Sequence, residues 1–282
     1  MRRISPMSNS RPSSPRPSST FCAIDLSVTA DLSGSYLPFW IGGAIRGRLR
    51  RDVAQALSDF EGIEVADIGL KLRERGSSRS GRSRALQALA VHLRKLGFIA
   101  DWRNELSALL DDSGVEIARC ERGAFRSLGL QNRAVHVNGY RADGRVWVAR
   151  RSDLKRADPG KLDNLAAGGV SAGESPRRTA LREAWEEAGV PASLARRVDF
   201  PGMVIRSLRE TTFGVHDELV IVADLDLPQD FEPAGRDGEV SEFLCLSASA
   251  AESALDRGEF TVEAALALRE SLERRGFSRH RP

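Results

Sequence analysis

The spacing of apolar positions divides the chain into two stretches of mixed structure. From Tyr36, YLPFWIGGAIRGRLRRDVAQALSDF reads as a strand, a turn at Gly42 and Gly43, a second strand, and a helix from about Arg51 to Phe60. A glycine pair between two apolar runs is a hairpin signal. EVADIGLKL reads as one further strand. Leu86, Leu89, Ala90 and Leu93 fall at helical spacing, and Gly97 suits the position just past a helix end. From Leu130, RAVHVNGYRADGRVWVARRS is a hairpin turning at Asp143 and Gly144. KRADPGKLDNLAAGG reads as a loop, and GMVIRSLRE, DELVIVADLDLP and EVSEFLCLS as strands. ESALDRGEF and VEAALALRESLERRG supply closing helical segments. The order predicts an α+β protein, with a mixed sheet between helices at 129–282 preceded by a smaller α+β domain at 35–128.

Residues 1–34 are predicted to be a disordered tail. They begin MRRISPMSNSRPSSPRPSST, rich in Ser, Pro and Arg and free of acids, and bury too little apolar surface to offset chain entropy. The same composition resembles an organelle transit peptide. Composition otherwise narrows the picture by exclusion. The 282 residues carry 42 basic and 39 acidic side chains, a net charge of +3, which makes no case for a nucleic-acid partner. No apolar run approaches the roughly 20 residues of a membrane helix, so no membrane partner is expected. Cys22, Cys120 and Cys245 are scattered without metal-ligand spacing, as suits a reducing compartment. A cytoplasmic location is expected, or an organellar one if the tail is a transit peptide.

The chemistry concentrates in GGVSAGESPRRTALREAWEEAGV, residues 168–190. Ser175 suits an N-cap, Pro176 a first helical residue, and Gly189 the position past the end, so a helix is predicted from Pro176 to Ala188. Within it Glu183, Glu186 and Glu187 stand at i, i+3 and i+4, on one side, while Leu181, Trp185 and Ala188 form an apolar stripe. Three neighbouring anions repel, and a divalent cation relieves the conflict; carboxylate oxygens suit Mg²⁺. The glycines of the preceding loop let backbone approach a metal or phosphate closely.

This stretch resembles the Nudix box: Gly168, then Glu174, Arg182, Glu183, Glu186, Glu187, Gly189 and Val190 fall in that motif's places, with Ala184 small where a larger aliphatic is usual. The resemblance implies a Nudix hydrolase with Mg²⁺ (or Mn²⁺) as cofactor. It assigns the metal to Glu183, Glu187 and the Gly168 backbone, with Glu186 a further ligand or proton acceptor. Glu174 and Arg182 pair to fix loop against helix, and Gly169 and Gly189 shape the box. A glutamate outside the box often assists; Glu239 and Glu242 in DGEVSEF are the candidates. Asn138, Arg150, Lys161, Asp163 and Asn164 are candidate contacts for a small diphosphate substrate. Flanking segments, among them VHVNGY, PGKLDNLAAGG, DGEVSEF and, earlier, DWRNELSALL and CERGAFRSLG, resemble the Nudix family related to the domain fused to thiamine pyrophosphokinase, together with its preceding domain of unknown function. That likeness implies repair of oxidised thiamine diphosphate to the monophosphate. The alternatives are a ligand-binding regulator on the same fold and a hydrolase of the ADP-ribose type.

Overall fold

The computed structural model describes residues 28–29, 32, 34–74, 78–155 and 157–277. Its N-terminal region opens with strand β1 (Val28–Thr29), then β2 (Tyr36–Ile41), β3 (Ala44–Arg50) and helix α1 (Arg51–Leu57). Next come β4 (Ile63–Ala66), β5 (Gly69–Leu72), α2 (Arg79–Lys95), β6 (Leu106–Leu110), β7 (Glu116–Glu121) and α3 (Ala124–Leu128). Strands β2 to β5 form one sheet in the order β3-β2-β5-β4, and β6 and β7 form a hairpin. Phe39, Leu49, Leu57, Leu86, Leu89, Leu93 and Leu128 fill a core beneath them. The predicted apolar face of α2 is the buried one. EVADIGLKL, expected as one strand, is instead a hairpin: β4 and β5 pair antiparallel and turn at Asp67 and Ile68.

Residues from Gln131 build the larger sheet. Its strands are β8 (Gln131–Arg141), β9 (Val146–Arg151), β10 (Leu162–Asp163), β11 (Ala166–Gly169), β12 (Val204–Thr211), β13 (Gly214–Leu227) and β14 (Val240–Leu246). Helices α4 (Pro176–Ala188), α5 (Ala192–Ala195), α6 (Ala248–Asp256) and α7 (Val262–Arg274) complete the chain. The path is β1-β12-β13-β8-β9-β10, with β11 on β8 and β14 on β9. β13 runs parallel to β8 along its whole length, and the other pairs are antiparallel except β1 on β12. The α+β architecture is thus as the sequence predicts. Two details differ. The segment read as a loop before the box contains β10 and β11, too short to show a strand pattern. The tail predicted to be disordered to residue 34 overlaps ordered chain, because β1 joins β12 and Leu32 is buried with Tyr36, Leu208 and Val215. Residues 1–27, 30, 31 and 33, which carry the rest of that expectation, lie outside the described residues. No helix among the described residues is long and apolar enough to cross a membrane.

Alternation along the strands gives the sheet two dissimilar faces. Val135, Val137, Ile221 and Ala223 pack under α4. Val220 and Val222 pack with Ala267 of α7 on the other face. A polar network is sealed beneath α7. Asp224 accepts from Asn138, Ser271, Arg274 and Arg275. Nearer the start of α7, buried Glu263 accepts from Ser207 and Arg209 and lies 3.0 Å from His216 Nε2. Burial alone would raise this carboxyl, but His216 and Arg209 outweigh it and hold it far below the usual carboxylate range.

Glu263→Gln leaves the Arg209 guanidinium without its acid and is expected to cost about 3–5 kcal/mol at neutral pH, read by urea unfolding. A depressed folded-state pKa means the wild-type advantage is complete above the unfolded value of about 4.3. It is lost as pH falls below that value, so the two unfolding midpoints should converge in acid.

Candidate functional site

The box is assembled by local chemistry and then pressed against a strand of small residues. Ser175 caps α4 by accepting from the Arg178 N–H, Pro176 opens the helix, and Gly189, at φ 65°, ends it. Ala180, Ala184 and Ala188 form the buried contact face. Trp185, expected in that stripe, is 45% exposed and lies under the Arg236 guanidinium, 3.8 Å from the ring centroid. The reason is one of distance. Alanines bring the helix close to β11, and that closeness buries Glu187 rather than the bulky indole. The small Ala184 therefore belongs to the packing of the helix.

Gly168 completes the approach. A β-carbon there would overlap the Glu183 carboxylate. Glu174 accepts from Thr179 Oγ1 at 2.9 Å and from Arg182 Nη2 at 3.1 Å. Arg182 Nη1 lies 2.8 Å from Glu183 and 3.1 Å from Glu186, so one guanidinium holds three carboxylates. Glu186 is the outer one, half exposed, while Glu183 is mostly buried and Glu187 buried. Burial pushes the Glu183 carboxyl up to about 7, with Arg182 only partly offsetting it. Burial, then Glu183, pushes Glu187 well above the ordinary range despite Lys155 and the Ala167 N–H. The Ala167 amide donates to Glu187 Oε2 at 2.8 Å, and Lys155 Nζ stands 3.8 Å from its Oε1.

A loop laid along the end of α4 supplies the remaining acids. Ala234 and Arg236 donate backbone hydrogen bonds to the carbonyls of Ala188 and Glu186, and Arg236 stacks on Trp185. Asp237 and Glu239 then come within 4.8 Å of Glu187, counting one carboxylate oxygen from each. Glu239 also ion-pairs with Lys155, which more than offsets burial and lowers its carboxyl. Glu239 therefore stands beside the box, whereas Glu242 lies apart, paired with Arg150 at 2.5 Å. Asp237 and Lys155 are the residues sequence reasoning missed. Asp237 opens the quoted DGEVSEF and Lys155 stands in the loop after β9, but neither carries a spacing signal.

The expected substrate contacts fare unevenly. Asn138 and Asn164 are sealed in the interior. Asn164 donates to Asn138 and approaches His136 Nδ1 at 2.7 Å, while Asn138 donates to Asp224. Their amides are occupied by protein, which removes them from a substrate-facing surface. Arg150 points to the opposite side of β9 from Arg151, and Arg151 is the one whose charge acts on Glu239. Asp163 borders Glu187 electrostatically but is tied to Arg151 at 2.8 Å. Lys161 is partly exposed and pairs with Asp158 at 3.8 Å.

The N-terminal region grips the box loop. The Ala172 N–H donates to the Leu106 carbonyl at 2.8 Å, and Ser171 Oγ donates to Glu105 at 2.6 Å. Glu105 also accepts from Arg122, whose guanidinium rests where a Gly169 β-carbon would sit. Trp102 stays with the N-terminal core, under Arg94.

The NUDIX domain family matches residues 130–264. Nudix hydrolase 24, chloroplastic, of Arabidopsis thaliana is 34% identical over 217 residues, 74% of this chain and 59% of that protein. Nudix hydrolase 20, chloroplastic, of the same plant is 29% identical over 87% of this chain and 70% of its own length. The chain thus spans about three fifths of the first relative and over two thirds of the second. Among solved structures, DR0079 from Deinococcus radiodurans covers 59% of the chain at 22% identity and a TM-score of 0.46. Residues 130–264 thus match the NUDIX domain family, and the box geometry and the two plant relatives agree with that match.

Proposed function

We propose that the chain is a divalent-metal-dependent Nudix pyrophosphohydrolase acting on a small diphosphate. The observation that carries the reading is the pair Glu183 and Glu187. Glu187 is buried and Glu183 mostly so, burial raises both carboxyls, Glu183 adds to the repulsion on Glu187, and Asp237 and Glu239 join Glu187. Such a set is costly without a cation and offers only hard oxygen donors, which fits Mg²⁺ or Mn²⁺. Glu183, Glu187 and the Gly168 carbonyl would hold the ion, with Glu239 and Asp237 beside it. When bound, the ion would polarise the phosphoryl oxygens and activate water for attack. Arg182 keeps Glu174, Glu183 and Glu186 in register before substrate arrives. Glu186, the most exposed of the three, is placed to accept a proton. Lys155, already shared by Glu187 and Glu239, is the cation for a substrate phosphate. The intact carboxylate set disfavours the regulator reading.

For the substrate we favour an oxidised thiamine diphosphate, cleaved to the monophosphate and inorganic phosphate. The support is the resemblance of the segments flanking the box, in both the N-terminal region and residues 129–282. Oxidation removes the cationic thiazolium, and an enclosed site can discriminate on that difference of charge.

Glu187→Gln is expected to lower Mg²⁺-dependent hydrolysis at least about a hundredfold, measured by product release at saturating metal. Full turnover in the presence of chelator would overturn the metal-dependent reading. In a panel of diphosphates, kcat/KM should be higher for oxidised thiamine diphosphates than for thiamine diphosphate. Equal or better activity on ADP-ribose would sink the substrate assignment and leave hydrolysis standing.

A further inference from the structure

A cavity of about 100 Å³ lies where the N-terminal region meets the sheet. Phe98, Phe125, Leu130 and Val215 give it apolar walls, and its charge comes from Glu218, Asp101 and Asp217 set against Arg103, Arg122 and Arg126. Glu218 is unusual among these. It is only 8% exposed, yet its partners are distant: Asn132 Nδ2 at 3.5 Å and His216 Nε2 at 3.6 Å, and that imidazole sits closer to Glu263, at 3.0 Å. Glu218 and Asn132 are register partners on β13 and β8, on the sheet face that α7 covers further along. Arg126, which lines the same cavity, lies within reach of the Glu218 charge. The one side-chain hydrogen bond to Glu218 among the described residues, from Asn132, is long, so the carboxylate keeps room to accept from a ligand N–H.

Arg122 connects this cavity to the box. Its guanidinium lies against Gly169 on one side of β11, while Glu183 lies against Gly168 on the other, and its charge is felt by Glu183. Nη1 is held by Glu105, whereas Nη2 has no acceptor among the described residues.

We propose that this cavity is the pocket for the organic group of the substrate, a flat nitrogen heterocycle bearing an N–H donor. Glu218 accepts from that donor, the phenylalanines pack on the ring, and Arg122 stands between the pocket and the box to meet a phosphate oxygen. The N-terminal region is then the element that selects the substrate. This rests on the reading of the chain as a diphosphate hydrolase and names the part of the molecule that chooses among diphosphates.

The test uses the full chain and isothermal titration in Mg²⁺. AMP and CMP, which each carry an amino heterocycle without a fixed positive charge, are compared with inorganic pyrophosphate, which has none. Glu218→Gln is expected to weaken whichever heterocyclic probe binds the wild type at least tenfold. Asn132→Trp, which fills the cavity from its rim, should do the same. Pyrophosphate affinity should stay within twofold in both variants, and the thermal midpoint of at least one should match the wild type. Unchanged affinity for the heterocyclic probes in both variants overturns the proposal, as does an equal loss for pyrophosphate, or a wild type that binds neither heterocycle. The hydrolase reading fails separately, if the wild type cleaves no diphosphate in the panel.

Discussion

Two carboxylates held out of water at the foot of a helix are the constraint around which the site is organised. Glu187 is buried and Glu183 mostly covered because α4 lies close to β11, and α4 lies close because its contact face is Ala180, Ala184 and Ala188 opposite a strand ending in glycines. Larger side chains on either surface would lift the helix and return both acids to solvent. The proximity that makes the acids unfavourable as anions is the proximity that makes them suited to a cation. Arg182, Lys155 and the Ala167 amide moderate the repulsion without cancelling it, since both carboxyls remain raised. A metal ion would act on a cluster already aligned, so little reorganisation accompanies its binding.

The loop over 234–239 shows how a fold adds chemistry to a motif. Its position depends on backbone hydrogen bonds to the last turn of α4 and on Arg236 stacking over Trp185. Trp185 thus contributes from the exposed side of the helix, as the platform for a loop that brings two acids to Glu187. β14 pairs with β9 just beyond that loop, and Ser152 donates to the Glu239 carbonyl. Lys155 and Glu239 therefore face each other across two connections that are themselves tied together.

The N-terminal region is joined to the same machinery. Leu106 extends backbone pairing to the box loop, and Glu105 links Ser171 to Arg122. A displacement of the β6–β7 hairpin would carry the loop between β11 and α4 with it, and with that loop the orientation of Glu174. On the far face, the Asp224 and Glu263 networks occupy polar side chains that would otherwise be taken for ligand contacts. Asn138 and Asn164 serve that interior, and their hydrogen bonds hold the end of β10 beneath α7.

The sequence by itself determined the helix over 176–188, its caps, the spacing of its carboxylates and the alternation of sheet and helix, because each rests on interactions within a few residues. It named Glu239 beside the box from a resemblance and could not separate Arg150 from Arg151, since both are basic residues of one strand and only the face each occupies distinguishes them. Asp237, Lys155 and Arg122 carry no local pattern. Their places follow from strand order and from the docking of one core on another, which bring together residues far apart in the chain. Tertiary structure alone decided which side of Trp185 meets solvent, which asparagines are sealed, and which buried acid has only a long hydrogen bond. Burial and partner distance are properties of the packed whole.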